Sequence, residues 1–339
     1  MDEKKTGLYC LISEYRKELM GFAALWILFF HKWLLLFESV PIIGQLEFLL
    51  KNFGYVGTDM FFFLSGMGLC RAIEKYTTLK FYAKRFCRIV IAYVIAEGLI
   101  VLLFKRTFID FIKLATGYSF VAESIFTTQW FVPAIAIAYL LFPLYYRLFK
   151  KAHSKVFFTM AMIEVWLLIM LKFGDHFRFD IIAVTNRIPV FLLGVLLGWI
   201  GINKDMTINR SLVIMMSITL LLGLYLCYLT NQKGFFLLVE HSNVAVPALL
   251  VSVSLCFLIP YCLDKVKRKL LLRKILSFFG MISLEVYLVS EPAGDFLIPK
   301  VGTFMPRIAI NLLIFVIVTA IAFLLYHLCR FISKLLLRD

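Results

Sequence analysis

The chain has 339 residues, of which 62% are hydrophobic and 16% aromatic, with 35 phenylalanines and a mean hydropathy of +0.91. A soluble globular chain is roughly half apolar, so this composition excludes a fold that hides its apolar surface from water by self-burial alone. The net charge of +15 would suggest nucleic acid in a soluble protein; here the Lys and Arg fall between apolar runs, where they set membrane orientation, and no nucleic-acid partner is expected.

The N-terminal stretch MDEKKTGLYCLISEYRKE is charged and lacks a short apolar core followed by a small-residue cleavage site, so the first apolar run is expected to be retained as an anchor. About ten runs then approach the ~20 apolar residues that a hydrocarbon core of about 30 Å requires. They lie at 19–37, 53–70, 89–104, 130–146, 156–171, 188–200, 212–229, 244–262, 275–297 and 307–329. The shorter ones imply tilt or partial burial in protein. With an inside N-terminus, the inner segments 1–18, 71–88, 147–155, 201–211, 263–274 and 330–339 hold most of the 36 Lys and Arg. Both termini are therefore expected to be cytoplasmic, which requires an even number of crossings. The predicted fold is all-α: one polytopic helical bundle of about ten transmembrane helices occupying 1–339 as a single multi-pass domain in the cell membrane. No internal repeat or appended soluble domain is expected, and the outer segment 105–129 is too short to fold alone. Seven cysteines without a CxxC pair read as packing residues, with neither disulfide framework nor metal site expected.

Ionisable groups at bilayer depth cost ~2.5–3.5 kcal/mol each on insertion scales and ask for a partner, a wet cavity or a function. Here they are His31, Asp59, Glu97, Glu164, Glu285, Glu291 and Asp295. Counting the helical rise, His31 and Asp59 each lie ~9 Å below the outer surface on spans joined by one loop. A carboxylate level with the imidazole would hold one tautomer, with Glu97 as a second candidate. The bland alternative is that Asp59 caps its helix and His31 bonds a backbone carbonyl. The glycines and Ser65 within 54–68 thin one face of a bulky helix, for close packing or for a ligand.

The stretch 71–88 carries six basic residues, Lys84, Arg85 and Arg88 among them. Arg85 and Arg88 are an i,i+3 pair and share a helix face. Such a pair suits the phosphates of a nucleotide-like ligand or, equally well, of anionic membrane lipids. Trp130 offers a flat apolar face with a donor at its edge, suited to a sugar, although an interfacial anchor is the commoner use of such a residue.

Taken in order, several short motifs resemble those of the integral membrane acyltransferase family 3, the acyl-CoA-dependent transacylases of surface and exported glycans. They are Glu18-Leu-Met-Gly21 leading to His31, Gly57-Thr-Asp59-Met-Phe-Phe-Phe-Leu-Ser65-Gly66, Arg85-Phe-Cys-Arg88, Gln129-Trp130-Phe131 with Tyr139 and Pro143, Arg187-Ile-Pro189 through Gly194, and Gly280-Met-Ile-Ser283-Leu-Glu285-Val-Tyr287. The resemblance spans nearly the whole chain. It implies a ten-helix bundle with His31 as the catalytic residue, assisted by Asp59. Arg85, Arg88 and Lys84 would bind the donor, acyl-CoA, with acetyl-CoA in the first place. Trp130, Glu97, Arg187, Glu285 and Tyr287 would line the acceptor site. Two departures stand out: Met20 replaces a basic residue found in many relatives eleven positions before the histidine, and Ser290-Glu291-Pro292 stands where many carry a second histidine.

The expected function is O-acylation, acetylation in the first place, of a hydroxyl on an envelope or exported glycan or its lipid-linked precursor. A small-metabolite transporter of the same architecture is the main rival. It would call for Gly/Pro-broken helices in related halves, which the sequence does not show. A structural envelope subunit would explain neither His31 nor the arginine pair.

Overall fold

The structure is a computed structural model, and it describes residues 7–123, 129–234, 243–266 and 270–337. It is 85% helical, and no strand occurs among the described residues. Among the described residues, eight segments are long and apolar enough to cross a membrane: Pro41–Lys75, Thr78–Leu103, Phe131–Lys151, Lys155–His176, Ile181–Asn203, Arg210–Gln232, Ala245–Lys265 and Arg307–Leu336. The protein is thus a multi-pass helical membrane protein. The two further crossings expected from sequence fall on α2 (Arg16–Lys32) and α15 (Ser283–Val301). The first has 17 residues, and the second carries Glu285, Glu291, Asp295 and Lys300, which is why neither qualifies by length and apolarity alone.

The chain divides into two compact units. The first comprises Met1–Ala23, Val56–Thr78 and Leu141–Gly280; the second comprises Ala24–Tyr55, Leu79–Leu140 and Met281–Asp339. One expected span, 275–297, is two helices, α14 (Leu270–Met281) and α15. The break at Ile282 falls two residues after the end of the first unit.

The first unit is organised by α4 (Val56–Lys75) against α11 (Ile188–Asn203). Gly194 and Gly198 lie four residues apart on α11, and Gly66 answers them from α4. A Cβ on Gly194 would sit 2.2 Å from the Phe63 carbonyl oxygen, on Gly198 2.5 Å from that of Met67, and on Gly66 2.3 Å from that of Phe191. Backbone meets backbone here, as small residues permit where apolar lipid gives helices little other reason to associate. This is the packing use of the glycine-rich segment 54–68. One turn inward, the Arg16 guanidinium lies against Gly68 and donates to the Leu64 carbonyl at 2.5 Å.

The N-terminal helix α1 (Leu8–Glu14) starts on Asp205, whose carboxylate accepts from the Tyr9 and Cys10 amides at 2.7 and 3.0 Å. A carboxylate at a helix start satisfies amides that have no intrahelical partner. Arg273 on α14 donates to Glu18 at 2.7 Å and covers the Tyr15 ring, while the Tyr15 hydroxyl donates to Asp264 at 3.0 Å. Burial and the Asp264 carboxylate push the Tyr15 phenol up to about 12, so it remains a donor at neutral pH.

In the second unit, α2 from Ala24 onward packs on the turn before α4: a Cβ on Gly54 would meet Phe30 at 2.5 Å and the Trp26 carbonyl at 2.6 Å. The outer stretch after α2 forms α3 (Pro41–Asn52), with Ile42, Ile43, Leu46 and Leu50 exposed on one side and Glu47 buried on the other. The unit is completed by α5 (Thr78–Leu103), α6 (Phe108–Ala115), α7 (Tyr118–Val121), the start of α8 (Phe131–Lys151), α15 and α16 (Arg307–Leu337).

Substituting Gly194 or Gly198 by Leu should lower the thermal midpoint of the detergent-purified protein, since forcing methylenes into a filled contact costs roughly 1–3 kcal/mol. Gly98→Ala should be neutral or slightly stabilising by the same measurement, because its nearest neighbour, Phe111, leaves 3.6 Å for a Cβ.

Candidate functional site

The second unit gathers most of the ionisable residues singled out above, and α15 organises them. His31 occupies the last turn of α2. Its Nδ1 lies 3.2 Å from Glu291 Oε2, with both side chains about one-fifth exposed. The next residue, Lys32, reaches Asp295 at 2.6 Å. Glu291 and Asp295 are an i,i+4 pair, one above the other on α15, and so meet a histidine and a lysine presented in sequence at a helix end. Gly294 makes room for this: a Cβ there would lie 2.3 Å from the Lys32 stem.

The main chain leaving α2 is pinned from two sides. The Leu34 amide donates to Asn311 Oδ1 at 2.9 Å, and Asn311 Nδ2 returns a bond to the Leu34 carbonyl at 2.8 Å. Opposite, the buried Glu47 carboxylate accepts from Trp33 Nε1 and from the Leu36 and Phe37 amides, all within 3.0 Å. Amides that a helix end leaves over are thereby satisfied, and the backbone that carries His31 is held in place.

Lower on α15, Glu285 is fully buried and takes Arg88 of α5 in a two-pronged pair: Nη1 to Oε1 at 2.5 Å and Nη2 to Oε2 at 3.0 Å. The Arg88 guanidinium also lies over the Tyr326 ring of α16, 5.6 Å from its centre. Arg85 points elsewhere, lying 6.0 Å from the centre of the Tyr139 ring. The i,i+3 pair expected to act together is therefore split, and Lys84 with Arg88, one turn apart, line a common cavity. Glu285 and Glu291 are six residues apart, which is about 9 Å of helical rise.

Pro292 lacks an amide hydrogen and leaves the Leu288 carbonyl, four residues earlier, without its intrahelical donor. Gln129 Nε2 fills the gap at 2.6 Å. Next to it, the Phe131 amide donates to the Tyr287 hydroxyl at 3.2 Å, and the two rings meet edge to face. The segment Gln129-Trp130-Phe131 is thus bolted to α15. Tyr287 forms part of this clamp. Trp130 is 7% exposed, so its indole presents no open face to a sugar in this conformation. Glu97 is buried on α5, one turn beyond Tyr93, whose hydroxyl donates to the Leu114 carbonyl.

The remaining expected pair lies in the first unit. Asp59 on α4 and Arg187, just before α11, are both buried and form an ion pair, Oδ2 to Nε 3.5 Å. Arg187 also donates to the Ala183 carbonyl at 3.0 Å. Asp59 and Arg187 are thus paired with each other. The carboxylate beside His31 is Glu291, not Asp59 or Glu97. Loop connectivity suggested Asp59; a signal that could have found Glu291 was the pair of carboxylates four residues apart on one intramembrane helix. Glu47 and Asn311 carried no comparable signal.

A family model described as an acyltransferase domain, that of acyltransferase family 3, matches residues 19–327. No curated protein and no solved structure matches the chain.

Arg88→Gln should destabilise the protein by about 3 kcal/mol, because it strands the buried Glu285 carboxylate without a counter-charge. Glu285→Gln should cost less, since the Arg88 side chain is 41% exposed and keeps access to water or head groups. The double variant should recover most of the loss. Thermal unfolding of the four proteins in one detergent checks the order; equal midpoints would show that the pair does not stabilise the fold.

Proposed function

The chain belongs to acyltransferase family 3, and on that premise we propose that it moves an acyl group, acetyl in the first place, from cytoplasmic acyl-CoA to a hydroxyl of an envelope or exported glycan or its lipid-linked precursor. The observation that carries this reading is the His31–Glu291 contact. Transfer to an alcohol needs a base at the attacking oxygen, and a histidine held through one ring nitrogen by a carboxylate offers the other nitrogen for that task. With Nδ1–H donating to Glu291, Nε2 carries the lone pair.

In the proposed step, Nε2 of His31 takes the acceptor hydroxyl proton as that oxygen attacks the thioester carbonyl. The new C–O bond forms, the tetrahedral centre collapses with cleavage of the C–S bond, and the leaving thiolate takes the proton back from the imidazolium. No net charge is left in the site. The Glu291 carboxylate balances the imidazolium while it exists, and Asn311 and Glu47 keep the helix end from moving as charge builds. A base must lie within hydrogen-bond reach of its proton, so the rigidity of the 31–37 backbone is as much a part of the machinery as the ring itself.

Sidedness supports the same reading. The basic end of the second unit, with Lys84, Arg88 and Arg330, faces the cytoplasm under the charge rule, where acyl-CoA is made. His31 lies toward the opposite end of α15 from Glu285, where an exported acceptor or its lipid-linked precursor has access.

Purified protein in nanodiscs, supplied with acetyl-CoA, tests the proposal through acceptor-dependent release of CoA. His31→Ala should reduce turnover by about 10³-fold or more, with little change in KM for the donor. Glu291→Gln should lower kcat by ~10²-fold, and Glu291→Asp should restore part of it. Wild-type protein that leaves acyl-CoA intact in the presence of glycan acceptors, or a His31→Ala variant with full turnover, would sink the assignment.

A further inference from the structure

Glu164 is an intramembrane carboxyl that the histidine site does not use. It stands at the middle of α9 (Lys155–Phe173), nine residues from each end, which is about 14 Å of helical rise in either direction. A glutamate side chain does not reach that far, so the carboxyl stays at the level of the hydrocarbon. The buried face of α9 carries Thr159, Trp166 and Met170, the last two packed with Ile182 and Ala245 of the same unit. Glu164 lies on the other face and is exposed. Among the described residues it has no hydrogen-bond or ion-pair partner. The other intramembrane ionisable groups differ: His31, Asp59, Glu285, Glu291 and Asp295 each face a partner, and Glu97 is buried. A carboxyl turned toward lipid at mid-bilayer calls for a partner from outside its own chain.

The side chains around Glu164 form a seam. Phe157, Met160, Leu168 and Leu171 are each more than half exposed. With Glu164 at their centre they follow one another in steps of three, four, four and three residues, which average the 3.5-residue repeat of a two-helix contact. We propose that this seam is the contact surface for a second copy of the chain, the two α9 helices running parallel about a two-fold axis along the membrane normal, with Glu164 hydrogen-bonded to Glu164 of the partner subunit.

Depth and chemistry favour a second copy over an unlike helix. Two copies inserted in the same orientation bring residue 164 to the same level, and a two-fold axis through the seam sets the two carboxyls face to face. A carboxyl is also self-complementary: one that carries a proton donates its O–H, and the other accepts. One proton shared between the two leaves a single charge on the pair, and two protons close a neutral pair with reciprocal bonds. An unlike helix would have to supply both a donor at mid-bilayer and a matching apolar seam. Between lipid-facing helices, which gain little from apolar burial, one polar residue within an apolar seam adds a hydrogen bond and fixes the register.

Two measurements test the surface. Full-length protein carrying donor or acceptor fluorophores on a C-terminal tag is mixed in liposomes, and energy transfer is followed as the lipid-to-protein ratio rises. Transfer should fall along a monomer–dimer curve. Glu164→Leu should weaken the dimer about tenfold, and Glu164→Gln should stay within about threefold of wild type, since an amide still donates and accepts. Both variants should keep the wild-type thermal midpoint at dilutions where wild type is monomeric. In the second measurement a photo-crosslinking amino acid, p-benzoylphenylalanine, replaces Leu168 or, as the control, the exposed Leu221 of α12 (Arg210–Gln232), in intact membranes with Glu164 retained. Crosslinks between copies are expected from position 168 and not from 221. This arm holds the proposal open to refutation even if Glu164→Leu does not fold. A wild-type monomer at every lipid ratio overturns the proposal, as does a dimer indifferent to Glu164→Leu. Crosslinks from position 168 to other proteins alone would give the seam to an unlike partner and overturn it equally.

Discussion

Three carboxylates on one helix, each facing a basic side chain from another element of the same unit, set the terms for the second unit. Glu285 meets Arg88, Glu291 meets His31, and Asp295 meets Lys32. Hydrocarbon does not tolerate an uncompensated charge, so each group that remains ionised at this depth must bring its partner. The pairing decides which way α2 and α5 turn their polar residues toward α15. It also decides which chemistry is left available. Arg88 is held by two bonds to a buried carboxylate, whereas His31 is held through one nitrogen.

α15 is irregular in ways that serve this arrangement. Pro292 removes one rung of the helix ladder directly beside Glu291, and Gln129 takes the carbonyl so freed. Gly294 lets the Lys32 stem cross the helix surface. A regular apolar helix would provide neither the opening for a neighbouring side chain nor a second segment tied across it. The first unit uses a different device. There, Gly66, Gly194 and Gly198 bring α4 and α11 into backbone contact, and Asp59 and Arg187 close the one buried charge pair described between those elements. One unit thus spends its small residues on close packing, while in the other a glycine and a proline are used to shape a polar site.

The backbone after His31 shows how precision is achieved in a region without regular structure. Asn311 satisfies the amide of Leu34, and Glu47 those of Leu36 and Phe37. Each of these bonds would be unremarkable alone; together they remove the freedom that a helix end ordinarily has. In the proposed reaction, a base that must meet its proton at hydrogen-bond distance would depend on that loss of freedom.

The sequence by itself determined that this is an all-α, multi-pass membrane protein, because apolar length and the placement of Lys and Arg are local properties that the bilayer reads directly. The ordered motifs likewise marked the family, and the cost of intramembrane charge singled out His31, Glu285, Glu291 and Asp295 from the sequence alone. Which charge meets which was decided only by the tertiary structure. Asp59 and His31 are neighbours across a loop, yet Asp59 pairs with Arg187 and His31 with Glu291, two partners more than a hundred residues away in the chain. Arg85 and Arg88 share a helical face by count, yet one reaches an aromatic ring and the other a carboxylate. The physical reason is common to all of these. A side chain's depth follows from its own position and the helical rise, whereas its partner depends on how the helices rotate and pack against one another, and that rotation is set by contacts between residues far apart in sequence.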